Sequence, residues 1–121
     1  MAVRVGLTDG VQQLGASTDD TVVHNQTNRT AISAFNIYNS TANNVELTVY
    51  DSPDDTSASG EERANFTIGP KGFADDALDV NEVIGQGYAA NTRIIVVVNT
   101  AGIVAGDLTT KLTYTVYTGN S

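Results

Sequence analysis

The sequence predicts an all-β fold, a single antiparallel β-sandwich of about seven or eight strands, Ig-like or jelly-roll-like, with an extended N-terminal arm. Three observations lead there. Apolar and polar residues alternate with period two in several segments, as in Val45-Glu46-Leu47-Thr48-Val49-Tyr50. Clusters of Gly, Asn, Asp, Ser and Pro separate those segments at the spacing of sandwich turns. No segment is assigned to a helix, and no internal repeat points to a solenoid or propeller.

A chain of 121 residues matches one domain and can bury a core without metal or disulfide staples. Residues 1–20 are read as the arm and 21–121 as the sandwich. Val3, Val5 and Leu7 alternate with Arg4 and Gly6, which allows a short strand, while Thr8 to Asp20 carries only Val11 and Leu14 among polar residues. A segment so poor in apolar residues can order against a neighbour or fray.

Strands are then expected at Thr21 to His24, Thr30 to Asn39, Val45 to Tyr50, Arg63 to Ile68, Thr92 to Asn99 and Leu108 to Tyr117. The second and third flank the polar turn 39–44 and read as a hairpin. In the second, Ser33, Phe35 and Ile37 fall on one pleat face and Ile32, Ala34, Asn36 and Tyr38 on the other. Asp51 to Glu62 has the composition of a solvated loop. Gly69-Pro70-Lys71-Gly72 is a turn. From Phe73 to Ile84 strand and short helix compete, and irregular edge structure is favoured. Ile94-Ile95-Val96-Val97-Val98 has no polar face, so its strand is expected to be buried on both sides, either centrally in the sandwich or beneath another subunit.

The composition excludes much chemistry. Cysteine is absent and His24 is the only histidine, which removes disulfides, iron–sulfur clusters and the usual zinc sites. His24 ends the strand Val22-Val23-His24-Asn25, where a hydrogen-bonded structural histidine is a better reading than a catalytic base. The doublets Asp19-Asp20, Asp54-Asp55, Glu61-Glu62 and Asp75-Asp76 point to opposite sides of any strand and make poor acid/base pairs. Residues 75–82 lack the spacing of a calcium loop, and Gly85-Gln86-Gly87 is not a phosphate loop. No catalytic residue, cofactor or metal is therefore expected.

Fourteen acidic against six basic residues give a net charge of -8, which repels nucleic acid and anionic membranes. No apolar run has signal-peptide or membrane-spanning length, so the chain is expected to stay in the compartment where it is made. Asn25, Asn28, Asn39 and Asn65 each open an Asn-X-Thr triplet, which would matter only in a secretory pathway. Phe35, Phe66 and Tyr114 sit at inward positions. Tyr38, Tyr50 and Tyr117 occupy the opposite faces of their strands, where tyrosine can anchor a protein interface.

The order of the segments resembles the small β-sandwich virion proteins of tailed bacteriophages. The resemblance lies in 30–42, ending in an Asn-Ser-Thr turn, in 45–50, ending in Tyr50, in the loop 87–93 before an Ile-rich strand, and in Leu112-Thr113-Tyr114-Thr115-Val116. It spans residues 21–118 and implies a non-enzymatic virion component assembled in the host cytoplasm. It further implies a capsid decoration or cement protein with the major capsid protein as partner, present as a dimer or trimer. A tail-associated protein and a carbohydrate- or receptor-binding module are the alternatives. The residues expected at protein interfaces are Val3, Val5, Leu7, Val11 and Leu14 of the arm with Tyr38, Tyr50 and Tyr117, and the loop Asp51 to Glu62 is expected beside them.

Overall fold

The computed structural model describes residues 2–8, 11–26, 30–70, 72–74, 87–88 and 91–119, with the backbone alone for 2–8, 31, 33, 72–74, 87–88 and 115–119. The strands are β1 (Ala2–Thr8), β2 (Gln12–Gln13), β3 (Asp20–Gln26), β4 (Thr30–Asn39), β5 (Val45–Ser52), β6 (Glu61–Ile68), β7 (Gly72–Ala74), β8 (Gly87–Tyr88), β9 (Thr92–Val98) and β10 (Leu108–Gly119). All pairs are antiparallel.

Sheet A has the order β1-β10-β4-β7, with β2 also on β10 and β8 also on β4; sheet B has the order β3-β9-β5-β6. Pairing is nested: β1 with β10, β3 with β9, β4 with β7 and β8, and β5 with β6. The chain is thus one long hairpin with its tip between β5 and β6. Rolling that hairpin brings β10 beside β4 and β9 beside β5, and this is the jelly roll. Of the two sandwich topologies left open by the alternation of the sequence, nested pairing selects this one.

Two local readings change in consequence. β4 and β5 do not form a paired hairpin; the turn at 40–44 carries the chain from sheet A to sheet B. Within β4, the register to β10 passes from Ala34↔Thr113 to Ile32↔Tyr114, a bulge that skips residue 33. The bulge turns Ile32 inward beside Phe35 and Ile37, against simple alternation.

The N-terminal segment is part of the sandwich. β1 pairs along its whole length, from Ala2↔Gly119 to Thr8↔Thr113. Leu14 is 1% exposed, and its backbone is fixed on both sides, donating to the Leu108 carbonyl at 2.9 Å and accepting from the Gly106 N–H at 3.0 Å. Ser17 N–H donates to the Ile103 carbonyl and Thr18 N–H to the Val98 carbonyl. The stretch is poor in apolar residues because its backbone saturates hydrogen bonds of β10 and the 99–107 loop and needs only Leu14 for the core. In its described part, the segment 1–20 expected as an arm pairs with β10 through β1 and β2 and supplies Leu14 to the core.

The interior is filled by Ile32, Phe35, Ile37, Leu108 and Leu112 from sheet A and by Val45, Leu47, Val49, Phe66, Ile94, Val96 and Val98 from sheet B. Each such side chain contributes about 1.5–3 kcal/mol on burial. β9 is central in sheet B, and its second face is buried too, since Ile95 is 0% exposed yet lies outside the interior cluster. Ile95 is opposite Val22 of β3 and Tyr50 of β5 on the outer face. The loop 53–60 closes over it. Arg93 Nε donates to Asp55 at 2.7 Å and its guanidinium to the Pro53 carbonyl at 3.0 Å; Ser57 N–H donates to Asp20 at 3.2 Å. Arg93 and Asp20 lie on that outer face on either side of the Ile95 row, so the loop crosses the face between them. The segment expected to be a solvated excursion is a cover for sheet B.

Candidate interaction surface

The outer face of sheet A carries the site. β10 and β4 pair as Thr109↔Tyr38 and Lys111↔Asn36, and outward alternation puts all four side chains on one face. β2 extends the edge next to β10 through Thr110↔Gln12, and so places Val11, which directly precedes it, beside the same strand. The result is a groove of about 300 Å³ lined by Val11, Asn36, Tyr38, Thr109, Thr110 and Lys111. Val11 is 69% exposed, Tyr38 is half-buried, and Lys111 takes part in no ion pair among the described residues. Exposed aliphatic surface, an amphipathic ring and a free ammonium are the components of a protein-contact patch.

Of the residues expected at interfaces, the structure brings Val11 and Tyr38 together. Leu14 is buried in the core. Tyr50 lies on the other outer face, half-buried opposite Ile95, with Gly60 packed against its Cβ. The side chains of Val3, Val5, Leu7 and Tyr117 lie outside the described part of the structure, as does most of the Phe73 to Ile84 segment. Lys111, Asn36 and Thr109 were not singled out from the sequence. A lone lysine on the outward face of a threonine-rich strand was the available signal for the first.

A second opening of about 380 Å³ lies where β3 meets β10 at the side of the sandwich, lined by Gln12, Val22, Val23, His24, Asn25 and Tyr114. His24 packs on Tyr114 with ring centroids 4.2 Å apart. Among the described residues the lining holds no carboxylate, serine or second histidine. Among the described residues no group of three or more His, Asp or Glu could hold a metal ion.

Sheet B is polar at its free surface. Thr48 Oγ1 accepts from Asn65 Nδ2 at 2.9 Å and from Asn99 Nδ2 at 2.6 Å. Arg63 donates to Asp51 at 3.2 Å and lies 3.5 Å from Glu61. In the cover, the Asp54 carboxyl is held below its ordinary range, chiefly by the Thr56 N–H, with help from the hydroxyls of Ser59 and Ser52 and the charge of Arg93 against a small opposing effect of desolvation. Of the Asn-X-Thr asparagines, Asn39 is fully buried with its amide engaged, whereas Asn25 and Asn65 are exposed and Asn28 lies outside the described residues.

No protein-family model matches this chain, and no curated protein sequence matches it. Solved structures with similarity to this chain are found. A protein from the disulfide-linked pili that form Bacillus endospore appendages superposes with a TM-score of 0.53 at 9% identity, over 100% of this chain and 92% of that one. A chain of infectious bursal disease virus, Gx strain, gives a TM-score of 0.42 at 14% identity over 99% of this chain and 33% of that one; PirA gives 0.40 at 11% identity over 95% and 93%. With no cysteine, this chain cannot be disulfide-linked. The likeness to the pilus protein is a likeness of fold: both chains are built on the same rolled β-sandwich.

Proposed function

We propose that this chain is a non-catalytic structural subunit of a virion, a decoration or cement protein seated on the outer shell of a tailed bacteriophage, with the major capsid protein as partner. The observation that carries the reading is the groove on sheet A, where an exposed valine, a half-buried tyrosine and a lysine with no ion pair among the described residues lie together. The two sheets packed on one shared core support it, because a subunit that strengthens a shell has to transmit load without deforming. Many equivalent copies on a shell compensate for modest affinity at each site.

The test is to add the purified chain to empty shells and follow sedimentation and shell melting. Co-sedimentation with a raised melting temperature, and an ordered outer layer by imaging, are the expected results. Confinement of the protein to the tail would overturn the shell assignment. A carbohydrate-binding module is the second reading, favoured by Tyr38 beside Asn36 and Thr109, since a ring flanked by hydrogen-bonding groups suits a sugar. Glycan-array binding lost in Tyr38→Ala would select it.

A further inference from the structure

We infer that the occupant of the sheet A groove is the acidic cover of sheet B from a second copy of this chain. This rests on the reading of the groove as an assembly surface and names what fills it. Lys111 is exposed in the groove and has no ion pair among the described residues, whereas Arg63 and Arg93 of sheet B are ion-paired with Asp51 and Asp55. Across the cover and the start of β6, Asp54, Asp55 and Glu62 are exposed, and Arg93, paired with Asp55, is too little to balance them. The groove, whose one charged lining residue among the described ones is Lys111, and the acidic cover of sheet B are therefore complementary in sign. A positive groove that meets a negative loop fixes register and steers encounter.

Because the faces lie on opposite sides of the sandwich, the contact is heterologous: groove of one copy, cover of the next. Such contacts close into rings where the rotation allows and otherwise run on as open arrays. A dimer related by a twofold axis would instead place groove against groove and bring Lys111 to Lys111.

Zero-length carbodiimide cross-linking of the intact chain tests this directly. Lys111 is separated from the cover by the thickness of two sheets packed about 10 Å apart, so a Lys111 bond to Asp54, Asp55 or Glu62 can form only between two copies. That cross-link, in multimers and absent from monomer, is the expected product. Lys111→Glu alone and Glu62→Lys alone should each weaken self-association by about tenfold, while mixing the two variants should restore assembly with the variants alternating, because both kinds of junction then pair opposite charges. Unchanged melting temperatures of the variants confirm that folding is intact. A protein monomeric at all concentrations, or cross-links from Lys111 to other sites only, would overturn the copy-to-copy contact. Shell binding by such a monomer would leave the decoration role standing, and loss of shell binding with self-association retained would remove that role alone.

Discussion

The side-chain amide of Asn39 donates to the Gly69 carbonyl at 3.1 Å, and so ties the turn that leaves β4 of sheet A to the turn that leaves β6 of sheet B. The same amide donates to the Asn43 carbonyl at 2.8 Å, and Asn39 Oδ1 accepts from the backbone and hydroxyl of Thr41. Asn39 is fully buried. Replacement by Ala strands buried donors and acceptors in both turns and is expected to cost about 2–4 kcal/mol, read by urea denaturation. A loss under about 0.5 kcal/mol would show that the turns hold without the pin.

The burial of Ile95 depends on the cover. Ile95→Ala is expected to destabilise by about 2–4 kcal/mol, like a core truncation, although the residue is on the outer face. Were the loop a free excursion, the same change would act as a surface substitution and cost about 0.5 kcal/mol or less. Denaturation of Ile95→Ala beside Ile94→Ala distinguishes the two.

Arg93→Ala removes the bonds to Asp55 and Pro53 that hold one end of the cover. The pair is largely solvated, so global stability should fall by less than about 1 kcal/mol. Local opening should rise more clearly, seen as faster amide exchange at Ala58, which donates to Thr56 Oγ1, and at Gly60, which donates to the Ser57 carbonyl.

The cover should loosen in acid. Asp54 is held below its ordinary value of 3.8 by donors within the loop, so the closed form binds this proton less readily than the open chain does. Its contribution is complete above about pH 3.8 and is lost as the pH falls through the lower folded value. Amide exchange across residues 54–60 followed from pH 6 to about pH 2 should accelerate in that range once the intrinsic rate is removed, and Asp54→Asn should flatten the profile.

Thr18 has φ of 68°, in the left-handed region, which β-branched residues rarely adopt. Its side chain is exposed, and its N–H donates to the Val98 carbonyl. Thr18→Gly keeps that bond and removes the strain, and is expected to raise stability by about 1 kcal/mol. A drop in melting temperature would mean that the threonine side chain holds the segment.

What the sequence determined by itself were the strands and their separators. β4 was expected at Thr30 to Asn39 and runs Thr30–Asn39; β5, β6, β9 and β10 begin or end within a few residues of expectation. Alternation, β-branched runs and turn residues act over a few neighbours, so this level is written locally. The outward position of Tyr38 followed for the same reason. Pairing is a different matter, because the partner of each strand is chosen by closing long segments of chain and filling one shared core. That choice split β4 and β5 between two sheets, drew β1 and Leu14 into the sandwich, and turned Ile32 inward at a bulge. It also assembled the groove, since Val11, Tyr38 and Lys111 come from three distant segments that meet only because β10 lies between β2 and β4. The residues were legible one by one; their meeting on a single face was decided by the nested hairpin and the way it rolls.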